Sequence, residues 1–143
     1  MWAQPYQRFY IILIYPGIPI ATAWVYDNLN LKLTKKENNI SILQKFLSLS
    51  DISRLSSLLQ NDLEPIVFRS YPEILRIKNR LLGFGVKDVL MSGSGSAVFG
   101  VCTNPEQAHH AHSLLKQELG STYLVQTIQS FSEFLPEAVL NYP

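Results

Sequence analysis

The sequence has a single cysteine, Cys102, among its 143 residues. One thiol excludes a disulfide within the chain and any cysteine cluster that would hold zinc or an iron–sulfur group. Charge is scarce as well, because 16% of the residues are Asp, Glu, Lys or Arg, against about 25% in typical soluble domains. The low cysteine count favours a reducing, cytoplasmic location, and the low charge indicates that some apolar surface meets a partner.

An excess of charge of either sign is also missing. Twelve basic and eleven acidic residues give a net charge of +1. Domains that bind nucleic acid usually carry a basic stripe and an isoelectric point above about 9. We therefore expect no nucleic-acid partner.

Long apolar runs are absent from the sequence. The longest, residues 9–15, is far shorter than the roughly 20 residues of a membrane-spanning helix. No lysine or arginine lies in residues 1–7, and Pro16-Gly17 follows the run, so it matches a signal peptide poorly. We expect no membrane segment, and the run predicts a buried strand that ends at a turn.

The residues that are present are sufficient for one folded domain. Domains usually contain about 100–200 residues, so the length predicts a single domain, residues 1–143. Hydrophobic residues make up 47% of the chain and aromatic residues 11%, which excludes a disordered chain.

Apolar spacing and turn residues predict the order of the secondary structure. Strands are expected at residues 9–15, 86–91, 97–102 and 121–128, and helices at 18–29, 41–49, 52–67, 72–82, 105–119 and 136–140. Pro65 predicts a kink or break near residues 61–64, Pro72 predicts a helix start, and Asn104 predicts an N-cap. This order predicts an α+β fold, with helices packed on one face of an antiparallel four-stranded sheet.

A glycine-rich loop, residues 92–96 with the sequence Ser-Gly-Ser-Gly-Ser, lies between the second and third expected strands. Glycines let the backbone approach a ligand, and successive N–H groups in such a turn form an anion-binding concavity. The loop lacks the Gly-Lys-Ser/Thr ending of a Walker A loop and the third glycine of the dinucleotide fingerprint. From these residues alone, a phosphate-binding loop and an ordinary hairpin turn both stay open.

Three blocks of the sequence resemble the 4-diphosphocytidyl-2-C-methyl-D-erythritol kinases, a family of the GHMP kinase superfamily. Residues 90–100, which include the glycine-rich loop, are similar to the third motif of that superfamily. Residues 61–74 (Asn-Asp-Leu-Glu-Pro, then Val-Phe-Arg and Tyr-Pro-Glu-Ile) and residues 22–26 (Thr-Ala-x-Val-Tyr) are similar to the narrower family. The blocks follow the family's order and spacing across residues 9–128.

The resemblance implies a kinase that uses ATP and Mg²⁺ to phosphorylate the 2-hydroxyl of a cytidine-diphosphate-linked methylerythritol, in non-mevalonate isoprenoid biosynthesis. It covers the C-terminal domain of that family, which has a ferredoxin-like sandwich fold. The family's lysine, long ATP-phosphate loop and aspartate base belong to an N-terminal domain whose motifs are missing here. The expectation is therefore a truncated or split product. It would bind no cofactor and be inactive alone, with the N-terminal kinase domain as its partner.

The same resemblance implies which residues form the site. Tyr26 would stack on the cytosine, Thr22 would line the substrate pocket, and the phosphates would be bordered by Gly93, Ser94, Gly95 and Ser96. Stacking of a base on an aromatic ring is worth about 1–3 kcal/mol. The alternatives are that Tyr26 packs in the core and that Thr22 is an ordinary β-branched helix residue.

Other polar residues have simpler explanations. Asp62 and Glu64 are expected to cap a helix or support its kink rather than to act as paired carboxylates. The three histidines in residues 109–112 are expected to form a surface cluster, since the ligand set of a metal site is incomplete. Cys102 is expected to be an inert core thiol.

Two further expectations concern surfaces. The basic face made by Arg69, Arg76, Lys78 and Arg80 is expected to be solvated. Apolar surface left for the N-terminal domain would favour a homodimer of this chain, because large apolar patches rarely stay uncovered. A second hypothesis of function stays open: a stand-alone, non-catalytic α+β module that binds a ligand or another protein.

Overall fold

The computed structural model of the protein describes residues 8–29, 59–119 and 121–126. Four strands and four helices lie in these ranges. They are β1 (Tyr10–Ile14), α1 (Thr22–Asp27), α2 (Glu64–Ser70), α3 (Pro72–Gly83), β2 (Asp88–Met91), β3 (Val98–Cys102), α4 (Pro105–Leu119) and β4 (Thr122–Gln126). This composition confirms the predicted α+β class.

The strands form one antiparallel sheet in the order β2-β3-β1-β4. β1 pairs on both sides, so that Ile12 lies opposite Gly100 of β3 and Leu124 of β4. β2 and β3 form a hairpin, in which Met91 lies opposite Val98. This is the split β-α-β arrangement of ferredoxin-like folds, and β2 and β4 are the outer two of the four described strands.

Alternation along the strands gives the sheet one buried face. Ile12 and Ile14 of β1 are fully buried, whereas Ile11 and Leu13 are only partly buried. Burial alternates in the same way along β3. Because successive side chains of a strand point to opposite faces, the core lies on one face of the sheet.

Helices pack against that buried face. Their buried side chains belong to the same hydrophobic cluster as the buried strand residues and are Val25, Val67, Ile74, Ile77, Leu81, Ala108, Ala111 and Leu115. The approach is close at Gly100, where an added Cβ atom would lie 3.7 Å from Cδ1 of Leu81 in α3. The predicted packing of helices on one face of an antiparallel sheet is confirmed.

Proline and asparagine mark the helix starts that the sequence predicts. Pro65 lies in the first turn of α2, so the expected break near residues 61–64 is the start of a separate helix. Pro72 is the first residue of α3. Asn104 Oδ1 accepts hydrogen bonds from the backbone N–H groups of Glu106 (2.9 Å) and Gln107 (3.3 Å). These bonds confirm the predicted N-cap of α4.

The first helix is shorter than predicted. Residues 18–29 were expected to be helical, but α1 begins at Thr22 and ends at Asp27. Pro19 disfavours helical backbone at Ile18, and Asn28 takes the C-cap position. The predicted helices at 41–49 and 136–140, and residues 52–58 of the predicted helix at 52–67, lie outside the described residues. Within the described part of the third prediction, residues 59–63 are not helical and the helix begins at Glu64. Within the described ranges, no helix is both long and apolar enough to cross a membrane.

Candidate functional site

The glycine-rich loop, residues 92–96, is the turn of the β2–β3 hairpin. Ser92 N–H donates to Ala97 O (2.8 Å), and Gly95 N–H donates to Ser92 O (3.0 Å). Gly93 and Gly95 have φ angles of +54° and +95°, in the left-handed region that favours glycine. The loop is thus a closed turn whose shape depends on both glycines.

Gly95 lies directly on the core. A Cβ atom added to it would lie 3.1 Å from Ile20 Cδ1, 3.2 Å from Met91 Sδ and 3.7 Å from Val67 Cγ1. The next residue, Ser96, is 3% exposed, and its Oγ has no hydrogen-bond partner among the described residues. The end of the loop is therefore seated between β2, α2 and the segment that precedes α1.

The beginning of α1 contacts the same loop. The hydroxyl oxygens of Thr22 and Ser94 lie 2.9 Å apart. Tyr26, one helical turn after Thr22, is 56% exposed, so it is not a core residue. The structure thus brings Thr22 and Ser94 together and leaves the Tyr26 side chain accessible. The roles predicted for these residues stay predictions.

Asn61 also belongs to this site, although the sequence predicts no role for it. Its side-chain Nδ2 donates to Met91 O (2.8 Å) and to Gly93 O (2.7 Å), and its Oδ1 accepts from Leu63 N–H (2.9 Å). The first two bonds join the start of α2 to the hairpin turn. Asn61 is the first residue of one of the blocks that resemble the family, and this position is the only feature of the sequence that draws attention to it. Its hydrogen-bond partners lie 30 and 32 positions away, so the sequence does not indicate them.

Glu64 has a different role from the one expected. The N-terminus of α2 has no side-chain cap. Glu64 Oε1 instead accepts from Met91 N–H (2.8 Å), and Oε2 forms an ion pair with Lys78 Nζ (2.7 Å). The Lys78 and Glu64 side chains are 20% and 13% exposed. Of the two structural roles expected for Glu64, capping of the helix is wrong, because its carboxylate binds β2 and α3 instead. The expectation of a solvated face is wrong at Lys78, whose side chain is mostly buried in the ion pair.

The rest of the basic face includes an exposed ion pair. Arg80 binds Glu118 with two hydrogen bonds, Nε to Oε1 (2.9 Å) and Nη2 to Oε2 (2.5 Å). These bonds raise the pKa of Arg80 and lower the pKa of Glu118. The pair joins α3 to α4, away from the glycine-rich loop.

The histidines of α4 belong mainly to the surface. His109 and His110 are exposed. His112 is half-buried, and its Nε2 lies 3.1 Å from Thr122 O. In the described ranges, no group of three or more His, Cys, Asp or Glu residues is placed to hold a metal ion.

Cys102 is buried at the end of β3, with 2% of its surface exposed. Burial raises the pKa of its thiol, and the nearby charge of Asp88 raises it further. A protonated thiol is a weak nucleophile, which agrees with the expectation of an inert core residue.

Comparison with known proteins places this geometry among kinases. Residues 41–120, more than half of the chain, match the family model described as GHMP kinases C terminal. The chain is 41% identical over 109 residues to the 4-diphosphocytidyl-2-C-methyl-D-erythritol kinase of Syntrophotalea carbinolica. It is 38% identical over 108 residues to the protein of the same name from Syntrophus aciditrophicus.

Each of these two alignments covers 76% of this chain and 37% of the relative. The chain thus spans little more than a third of the length of these curated relatives. Among solved structures, it is similar to the crystal structure of a 4-(cytidine 5'-diphospho)-2C-methyl-D-erythritol kinase, with a TM-score of 0.71 and 25% identity. That match covers 86% of this chain and 44% of the solved one.

Proposed function

The chain belongs to the GHMP kinase C-terminal family, and on that premise we propose that it is the substrate-side domain of a kinase acting on 4-diphosphocytidyl-2-C-methyl-D-erythritol. In this reaction the substrate 2-hydroxyl forms a bond to the γ-phosphorus of ATP, ADP leaves, and the hydroxyl proton passes to a base. The product would feed non-mevalonate isoprenoid biosynthesis. The contact between Thr22 and Ser94 carries the proposal, because it joins the expected substrate pocket to the expected phosphate-bordering loop.

The cytidine end of the substrate is assigned to Tyr26. Its side chain is 56% exposed, so a face of the ring is accessible to a base. The ring lies one turn along α1 from Thr22, on the same side of the helix. A cytosine on Tyr26 would therefore place the attached diphosphate toward the loop that contains Ser94.

The loop is assigned to the neighbourhood of the phosphates. Its serine hydroxyls donate hydrogen bonds, and the positive φ angles of Gly93 and Gly95 allow close backbone approach to a ligand. Phosphoryl transfer depends almost entirely on positioning and electrostatic stabilisation. A loop held by defined contacts on two sides suits that requirement.

The proposal assigns the rest of the chemistry to a partner domain. ATP is the co-substrate and would bring Mg²⁺ on its phosphates. No described residue is assigned as a magnesium ligand or as the base, which we place on an N-terminal kinase domain together with the main ATP-phosphate loop. By this proposal residues 1–143 form one cytoplasmic domain that shows no turnover by itself.

The sheet also presents exposed apolar side chains to a second copy of the chain. Tyr123 and Val125 of β4 are 54% and 45% exposed and lie on the face of the sheet opposite the core. We also propose that these exposed apolar side chains support a homodimer of the chain. Sedimentation velocity at increasing concentration measures this, and a strictly monomeric chain would contradict the dimer.

Ligand titration tests the substrate assignment. Cytidine diphosphate is titrated into the 143-residue chain, the Tyr26→Ala variant and a matched control, Tyr123→Ala, whose ring is similarly exposed. We expect Tyr26→Ala to weaken binding by about 5- to 150-fold, the equivalent of one stacked base. Tyr123→Ala should bind like the unmodified chain.

The outcomes separate the two hypotheses of function. No binding by the unmodified chain, or equal binding by Tyr26→Ala, would favour the non-catalytic module. Turnover by the isolated chain with ATP and the methylerythritol substrate would show that the proposed division between two domains is wrong.

A further inference from the structure

On the side of β2 that faces away from β3, side chains bind the backbone of the last residue, Met91. β2 is an edge strand that pairs only with β3 among the described strands. Met91 nevertheless has both backbone groups bonded on the outer side: its N–H donates to Glu64 Oε1 and its carbonyl accepts from Asn61 Nδ2. Edge-strand backbone groups usually face solvent or another chain. Here they fix the strand end at the point where the loop begins.

Asn61 extends this hold into the loop itself. The same Nδ2 atom that donates to Met91 O donates to Gly93 O. A side-chain amide has two N–H donors, so one group satisfies the carbonyls of two residues that are two positions apart, one at the strand end and one in the loop. Asn61 Oδ1 also accepts from Leu63 N–H, which fixes the side-chain amide of Asn61 at the start of α2. The same amide binds Gly93 O, so it connects the loop to α2.

Glu64 is held in turn by α3. Its second carboxylate oxygen lies 2.7 Å from Lys78 Nζ, and Lys78 Nζ also lies 5.7 Å from the centroid of the Phe68 ring. Charge-assisted bonds of this kind are shorter and stronger than bonds between neutral groups. The position of Met91 is therefore linked, through Glu64, to two helices of the core.

These contacts end at the residues of the proposed site. Gly95 rests on Met91 and Val67, and Ser94 reaches Thr22. We infer that Asn61 and Glu64 are positioning residues that hold the Ser92–Ser96 loop against α1, so that Ser94 and Thr22 meet at one edge of the substrate site. The effect of these residues on substrate binding rests on the proposed function. Their effect on the position of the loop does not, because it can be measured in the chain without a ligand.

Amide NMR of the 143-residue chain tests the inference without any ligand. Asn61→Asp keeps the acceptor for Leu63 N–H but removes both donors and places a carboxylate against two carbonyl oxygens. We expect the amide resonances of Gly93, Gly95 and Thr22 to shift, and hydrogen exchange at Gly95 to accelerate by about fivefold or more. Amides in β1 and α4 should keep their resonances, which distinguishes a moved loop from a general loss of stability.

Two comparisons make the result specific. Asp62→Asn, a neighbouring exchange of acid and amide at an exposed position, should leave the loop resonances unchanged. Glu64→Gln keeps an oxygen for Met91 N–H and should shift the Met91 amide less than Glu64→Ala, which keeps none. This second pair decides the matter if Asn61→Asp does not fold.

A folded Asn61→Asp variant whose loop resonances and exchange match the unmodified chain would overturn the inference, and so would equal Met91 shifts in Glu64→Gln and Glu64→Ala. Titration of the same samples with cytidine diphosphate separates this failure from that of the proposed function. If the loop moves but the unmodified chain binds no cytidine diphosphate, the positioning role stands and the proposed substrate is wrong. If the chain binds cytidine diphosphate but the loop does not move, only the positioning role fails.

Discussion

Thr22 and Ser94 are 72 positions apart in the sequence, and their hydroxyl oxygens lie 2.9 Å apart. The contact joins the first residue of α1 to the middle of the hairpin loop. It is the point at which the two groups of residues predicted to handle the substrate and its phosphates come together. Because the contact is a single hydrogen bond between two side chains, one substitution removes it, and the effect on ligand binding can be measured.

The hydroxyl of Thr22 is expected to contribute to ligand binding. Thr22→Val keeps the shape of the side chain but removes the bond to Ser94, and we expect the affinity for cytidine diphosphate to fall about 2- to 10-fold, as for one hydrogen bond at an exposed site. Thr22→Ser keeps the hydroxyl and serves as the control. Isothermal titration of the three proteins measures the effect, and equal affinities for Val and Thr would show that the contact does not serve binding.

The backbone of Gly95 is expected to be essential to the loop. Gly95→Ala requires a positive φ angle for alanine and places a Cβ atom 3.1 Å from Ile20 Cδ1, so we expect a loss of about 2–4 kcal/mol in the free energy of unfolding. Urea denaturation measures it. The matched control is Gly83→Ala at the end of α3, where no atom lies within 4 Å of the added Cβ. There the change should be neutral or stabilising by up to about 1 kcal/mol. Similar values for the two variants would contradict the role assigned to the loop conformation.

The half-buried ion pair between Glu64 and Lys78 is expected to stabilise the fold. Lys78→Met leaves the Glu64 carboxylate without its cation and should lower the free energy of unfolding by about 1–3 kcal/mol. Lys116→Met, at an exposed position in the last turn of α4, is the control and should cost less than about 1 kcal/mol. The comparison uses chemical denaturation at neutral pH, and equal losses in both variants would mean that the pair adds nothing specific.

Cys102 is expected to make stability depend on pH in the alkaline range. Burial raises the pKa of its thiol in the folded chain, whereas the unfolded thiol has an ordinary pKa of about 8.5. Above that value the unfolded chain has lost a proton that the folded chain keeps, so the unfolded state binds fewer protons and stability falls as pH rises toward the folded pKa. The stabilising contribution is fully present below the unfolded pKa.

Cys102→Ala removes this contribution. We expect the difference in unfolding free energy between the unmodified chain and the variant to shrink or reverse from pH 7 to pH 10, measured in a reducing buffer. All other titrating groups are common to the two proteins. Parallel pH profiles would show that the thiol titrates normally in the folded state.

Local features of the fold were predictable because their causes are local. Pro65, Pro72 and Asn104 act on backbone groups within a few residues, and each marks a helix start in the structure. The hairpin turn between β2 and β3 follows from its glycines in the same way. The error at α1 is also local, since Pro16-Gly17 and Pro19 remain compatible with several starting points for a helix.

The site was only partly predictable. Thr22, Tyr26 and residues 93–96 were singled out through their resemblance to a family, and the structure places Thr22 against Ser94. Asn61 was not singled out, although its amide makes two bonds to the hairpin. A polar residue before a helix has many possible partners, and neither its spacing nor its type tells which carbonyl it will meet.

The sequence by itself determined the α+β class, the positions of most described elements and the family to which the chain belongs, because these depend on periodicity, turn residues and short blocks that resemble the family. The tertiary structure alone decided that Glu64 reaches Met91 and Lys78 instead of capping its helix, and that Asn61 holds the loop. These contacts span 14 to 32 positions. They require a sheet order that places β2 outermost among the described strands, where the backbone groups of Met91 need partners other than a strand.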